Sequence, residues 1–295
     1  MKSALFAAAS AALVAACAAA PAMADEVEIR NAVARVIVIV EDRSDVGVEV
    51  TQGNSRLPRI DVQRRGGEVR IDGGLRRGGV FGSSDGIRNC SSGPANARQP
   101  GEGAVVEVRD LGRIRLEDAP LIVLRTPRDV DVSAGGAVYG AVGRGARSVE
   151  LGSGGCGDWT VANTDGAVAL SVGGSGSIRA GTSRSLDAKV GGSGSISAGA
   201  TRDLDAAVGG SGSILVARVD GDGDISIGGS GDVTVRDGRM NELSVAIGGS
   251  GDVRYGGATR DLNVAIAGSG DVNIGAATGQ VSRTVVGSGS VNIGR

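Results

Sequence analysis

The sequence predicts an all-β protein, a single-stranded parallel β-helix with rungs of about nineteen residues. Three observations predict it. Gly-Ser-Gly turns recur seven times, centred on Ser175, Ser193, Ser211, Ser230, Ser250, Ser269 and Ser288, at spacings of 18, 18, 19, 20, 19 and 19 residues. An apolar column precedes the turns (Val172, Val190, Val208, Ile227, Ile247, Ile266, Val285) and another follows them (Ile178, Ile196, Ile214, Val233, Val253, Val272, Val291). Between turns, apolar and polar residues alternate, as in Leu186-Asp187-Ala188-Lys189-Val190.

Period-two alternation in β-branched residues means strands with one inward face. A unit this short cannot bury that face alone, so it stacks on its neighbours. Each rung is then two short strands joined by the Gly-Ser-Gly corner and by a second polar corner such as Gly199-Ala200-Thr201-Arg202-Asp203. Glycine at the corner is expected because it reaches backbone angles that a Cβ penalises. Right-handed winding is the default for parallel connections. The 53 glycines lack a three-residue period, which excludes collagen, and the regular Val/Ile columns argue against disorder.

Residues 1–24 read as a signal peptide. Lys2 supplies the charge, residues 4–20 are almost all apolar, and Ala22-Met23-Ala24 before Asp25 gives a small-x-small cleavage site between Ala24 and Asp25. An alternative is open, because Val14-Ala15-Ala16-Cys17 resembles the box at which bacterial lipoproteins are lipidated on cysteine. No later apolar stretch approaches the ~20 residues of a membrane-spanning helix.

Residues 25–130 form an irregular β region. The apolar run 34–40, the alternation over 46–50, and Ile60, Val62, Val69 and Ile71 predict less regular rungs or strands capping the solenoid. Residues 72–103, rich in Gly, Ser, Arg and Pro, read as one long insertion or mobile loop. Strand signals return at 105–108, 114–116 and 121–124. Residues 131–295 are the regular repeats, with Gly135-Gly136 a degenerate first corner and Cys156 in the serine column nineteen residues before Ser175. No linker separates the halves, so 25–295 reads as one continuous domain.

Removal of the leader leaves two cysteines, Cys90 in the insertion and Cys156 at a corner, a candidate disulfide in an oxidising compartment. It also takes the net charge from −2 to −3. That balance disfavours nucleic acid, which calls for a basic excess and stacking aromatics. Arginines gathered between Arg56 and Arg128, including Arg64-Arg65 and Arg76-Arg77, offer a local basic patch against the plainer reading of a solvated, mixed-charge surface.

Histidine is absent, which removes the commonest general base and the serine-protease type of triad. The repeated serines form a column rather than a nucleophile elbow, and their hydroxyls are expected to hydrogen-bond the corner backbone or one another. Among metals, calcium is the candidate: Asp158, Asp232, Asp252 and Asp271 share the position two after the corner residue, the last three on successive rungs, where like charges repel unless bridged. Serines fill that column elsewhere, so exposed turn aspartates are the competing reading. No other cofactor is implied, and no catalytic residue is nominated. An enzyme acting on polysaccharide would use such carboxylates, with Arg184, Arg202 and Arg260 at the other corner, yet few aromatics exist to hold sugars: Phe81, Tyr139, Trp159 and Tyr255.

The runs of Val-Gly-Gly-Ser-Gly-Ser-Ile and Ile-Gly-Gly-Ser-Gly-Asp-Val, following an export signal and a less regular β region, resemble the bacterial family described as "putative auto-transporter adhesin head, GIN domain". The resemblance runs from about Leu121 to the C-terminus. It implies an exported β-helical protein of surface or envelope, with no active-site motif to carry over. No membrane barrel or anchor follows Ile293 in this sequence, so a periplasmic role is expected as readily as a secreted or cell-surface one. The expected function is non-enzymatic binding of an envelope or extracellular glycan or protein. The alternatives are a polysaccharide lyase or hydrolase and a self-assembling structural protein joined through the open edge of the final rung, 281–293.

Overall fold

Inward-facing Val, Ile and Leu at every second residue, repeated each nineteen residues, draw the chain into a β-solenoid of about nine turns. The structure is a computed structural model and describes residues 26–75, 86–94 and 97–294. The proposed cleavage site Ala24/Asp25, Cys17, Arg76-Arg77 and Phe81 lie outside the described residues. Two stacks of parallel strands face each other across the core. The first contains Ser148–Ser153, Ala167–Val172, Ser185–Val190, Asp203–Val208 and Gly223–Ile227. The second contains Asp158–Val161, Ser177–Ala180, Ser195–Thr201 and Ser213–Val219. Later strands, Asp232–Ile247 and Val253–Gly268, run through the second corner and serve both stacks.

The register is the one the repeats predict. Val172, Val190, Val208, Ile227, Ile247 and Ile266 pair rung to rung. All six are buried, as are Ile178, Ile196, Ile214, Val233, Val253 and Val272 on the facing stack. Burying one such side chain is worth about 1.5–3 kcal/mol, so the two columns supply much of the stability.

The beginning of the solenoid is built out of sequence order. Glu26–Val40 lies beside Asp129–Val142 as a parallel rung, turning its own corner at Asn31, which takes φ 50°. Glu68–Asp72 and Leu121–Thr126 add the next layer, parallel to its two halves. Asp61–Arg65 and Gly47–Thr51 then pair antiparallel to that layer and end the parallel stack.

The insertion differs from its expected form. Ile87–Ser91 pairs antiparallel with Val105–Val108, and this with Gly112–Arg115, in a separate three-stranded sheet. Residues 105–116 therefore belong to the insertion rather than to the solenoid. Val106, Val108, Ile114 and Leu116 cover Val33, Ala137 and Tyr139 on the outer face of the first rungs, making a second small core.

The reason for the corner glycines is also different. Gly192, Gly194, Gly210 and Gly212 do not lie at positive φ; a Cβ on any of them would sit 2.2–2.3 Å from the carbonyl oxygen of a corner glycine on the previous rung. Stacking distance, not backbone angle, demands glycine there. Gly191 and Gly209, one residue earlier, face open space.

The last rung, Val281–Gly287 with Ser290–Ile293, pairs only with the preceding rung among the described residues. Arg283 stands opposite Val264, in a column that is otherwise apolar. An inward-pointing charge on such an edge opposes continuation by another apolar rung. Val281, Val285 and Val286 of the same rung are exposed, so the edge carries apolar surface as well as a charge.

Candidate functional site

Corner glycines hold the side chains after each turn in straight outward rows. In the column Tyr139, Asp158, Ser177, Ser195, Ser213, Asp232, Asp252, Asp271 and Ser290, each aspartate reaches forward to the following rung. Asp158 accepts from the Ser177 amide at 3.2 Å and from its hydroxyl at 2.6 Å. Asp232 accepts from the Asp252 amide at 3.0 Å, and Asp252 from the Asp271 amide at 2.9 Å. Asp271 accepts from the Ser290 amide at 2.9 Å and its hydroxyl at 2.7 Å. These carboxylates are amide caps between rungs, and Arg254 also donates to Asp252. The calcium candidates Asp232, Asp252 and Asp271 each commit one oxygen to that work. No cluster of three or more potential metal ligands forms among the described residues.

The serine column sits on the turns. Its backbone amides, rather than its hydroxyls, close the corners: Ser193 donates to the Gly174 carbonyl at 3.1 Å and Ser211 to that of Gly192 at 3.1 Å. The seven side chains are exposed, and their hydroxyls hydrogen-bond neither the corner backbone nor one another, unlike the expected ladder.

On the opposite stack an acidic row faces outward. Asp131 lies beside Glu150, Ala169 interrupts the row on the next rung, and Asp187, Asp205 and Asp224 then occupy successive rungs, with Lys189 donating to Asp187 at 2.7 Å. Partial burial, then repulsion from Glu150 and Glu26, pushes Asp131 up to about 6. Burial and the charges of Asp187 and Asp224 raise Asp205 as well. A carboxylate raised on folding is more favourable to the folded state when protonated. Its contribution is present below the ordinary carboxylate range and is lost as pH climbs through about 6. Asp131→Asn should therefore gain stability on the wild type between pH 5 and 8 and match it near pH 3. Thermal unfolding across that range checks the sign; a constant difference would contradict it.

The insertion adds irregular relief to the solenoid wall. Cys90 and Cys156 are disulfide-bonded, with Cα atoms 6.1 Å apart, which fastens the small sheet to a corner. Beside that fastening lies a recess of about 180 Å³. Its walls come from the loop (Pro94, Arg98, Gln99, Glu102) and from the outer face of the rungs (Tyr139, Asp158, Thr160, Arg179). Tyr139 is 1% exposed, and its hydroxyl has no hydrogen-bond partner among the described residues. Burial, and secondarily the Asp158 charge, push its pKa up to about 12, so the phenol stays protonated.

The recess residues carry no recognisable motif, so sequence reasoning did not find them as a group. The one usable signal was the cysteine pair, which pointed to the same corner. Among the described residues the other aromatics offer no sugar platform: Trp159 is fully buried over Gly140, whose Cβ would meet the indole at 2.3 Å, and Tyr255 is buried with its hydroxyl donating to the Ala258 carbonyl. Arg202 and Arg260 at the far corner pair with Asp203 and Asp261.

Fold and site together define a β-solenoid carrying a fastened side sheet. Residues 217–294 match the family model described as "Putative auto-transporter adhesin, head GIN domain", a shorter stretch than the Leu121 start expected from the repeats. No curated protein matches the chain. Among solved structures, it is similar to a crystal structure titled as a "Putative lipid binding protein" from Parabacteroides distasonis, at 17% identity over 92% of each chain with a TM-score of 0.49. No helix among the described residues is long and apolar enough to cross a membrane.

Proposed function

We propose that this chain is an exported, non-enzymatic binding module of the bacterial envelope or surface, which engages a glycan or protein through the face built by the insertion. The observation that carries the reading is the three-stranded sheet held across one outer wall of an otherwise regular solenoid, leaving a recess of charged and polar groups beside it. Rigid scaffolds bearing irregular loops commonly place recognition there. The adhesin-head match over the later rungs supports the same class of function.

Purified protein is expected to co-sediment with isolated envelope fractions or acidic polysaccharide without releasing sugar ends. Absence of retention would overturn the reading.

One observation favours a second reading, an enzyme acting on polysaccharide. Asp131, raised to about 6, sits opposite Glu150 in a groove that Glu26, Asp187 and Lys189 also line. A pair of neighbouring carboxyl groups, one of them with a raised pKa, is the arrangement that glycoside hydrolysis uses. Release of sugar ends, abolished by Asp131→Asn, would select this alternative.

A further inference from the structure

We propose that the Cys90–Cys156 disulfide is a reversible latch, opened on the folded protein by a dithiol, that releases the insertion sheet from the solenoid; its effect on binding rests on the reading of the insertion face as the binding face. Access comes from the corner. Cys156 stands in the exposed serine column, and both cysteines are only partly buried. They line a groove of about 410 Å³, with Arg88 on the sheet side and Gly136, Gly154, Gly155 and Gly174 on the corner side. A Cβ on Gly155 or Gly174 would strike the previous rung, so the stacking that demands glycine there also leaves the sulfur without a covering side chain on that side.

Opening is ordinary thiol–disulfide exchange. A thiolate of the dithiol attacks the Cys156 sulfur, a new S–S bond forms, and the Cys90 thiolate leaves. The second thiol of the reductant then displaces Cys156, so two electrons and two protons pass from the dithiol, which ends as a disulfide, to the two cysteines. Arg88 is the extra residue where the strand ladder slips between Ile87 and Asn89; it is exposed, and among the described residues it makes no ion pair. A cation in that groove stabilises the departing Cys90 thiolate. What the bond holds is separable. Among the described residues the small sheet shares no strand pairing with the rungs, and apart from the bridge it rests on the small core around Val106, Leu116, Ala137 and Tyr139. The rungs have a core of their own, so reduction loosens the insertion and leaves the solenoid standing.

Timed reduction of the native protein with dithiothreitol, followed by alkylation and mass measurement, tests this. The rate is expected to rise in proportion to dithiothreitol and to be unchanged by sub-denaturing urea. Arg88→Ala should slow it about threefold while the oxidised variant unfolds at the wild-type temperature, since the side chain is exposed. Hydrogen exchange in the reduced protein should accelerate over 86–118 and stay at the oxidised level beyond 223, and reoxidation in air should restore the original profile. A rate that plateaus or climbs steeply with urea would show that the bond is reached only through unfolding and would overturn the proposal. A wild-type rate for Arg88→Ala, or a solenoid that melts on reduction, would do the same. Envelope co-sedimentation separates the two readings. Retention is expected to fall on reduction, and the Cys90→Ser/Cys156→Ser variant should be weakly retained with or without dithiothreitol. Equal retention of oxidised and reduced protein overturns the latch while the binding-module reading stands. Native-state reduction with local loosening, but no retention of either form, overturns the binding-module reading alone.

Discussion

Gly192→Ala and Gly210→Ala are each expected to destabilise the protein by about 1–3 kcal/mol or more, the usual range for inserting carbon into a filled space. Gly191→Ala and Gly209→Ala, one residue away, should be neutral or stabilising by up to about 1 kcal/mol, because alanine there restricts the unfolded chain without a clash. The contrast follows from stacking. A Cβ at Gly192 or Gly210 meets the carbonyl oxygen of the previous rung at 2.2–2.3 Å, whereas at Gly191 or Gly209 nothing lies within 4 Å. That carbonyl also accepts the amide of the following serine, so it cannot swing away without breaking the bond that closes the corner. Valine at Gly192 or Gly210 should be worse than alanine. Denaturant unfolding of the four alanine variants measures the difference, and equal effects at the two positions of each pair would refute the steric account.

Cys90→Ser combined with Cys156→Ser is expected to cost about 4 kcal/mol in the chain-entropy account of a closed loop, given a separation of 66 residues. The loss should be unevenly distributed. Small-sheet residues Val106, Ile114 and Leu116 pack in one small cluster with Val33, Ala137 and Tyr139 of the outer wall, whereas later rungs belong to the solenoid's own core. Solenoids transmit stability chiefly between adjacent repeats. Hydrogen exchange should consequently accelerate over 86–118 and in the rungs beneath, with little change beyond 223. Uniform acceleration to the last rung would show that the bridge supports the whole solenoid. An unchanged profile would show that it supports nothing.

The repeat region was legible because one rung explains the next. Val190 predicts Val208 and Ile227 through a register that period two and the nineteen-residue spacing fix together, and that register is what the strands adopt. The corner glycines were placed correctly but explained wrongly, since the clash involves an atom one rung away and no local pattern reports it. Residues 105–116 misled for the reverse reason. Their alternation is real, but it faces the outer wall of the solenoid rather than its interior, and alternation alone does not say which core a strand covers. The out-of-order rung at Glu26–Val40, partnered by Asp129–Val142, rests on pairing over a hundred residues. Of the candidate site, only the cysteine pair was visible. Arg98, Tyr139 and Arg179 converge through the fold and share no spacing in the chain.

Hydrogen-exchange footprinting of the protein held on envelope fractions addresses the central claim most directly, that the insertion face does the binding. The account predicts new protection over 86–118 and over the strands carrying Tyr139, Asp158 and Arg179, with the final rung unaffected. Protection confined to 281–293, or to the acidic row from Asp131 to Asp224, would contradict it.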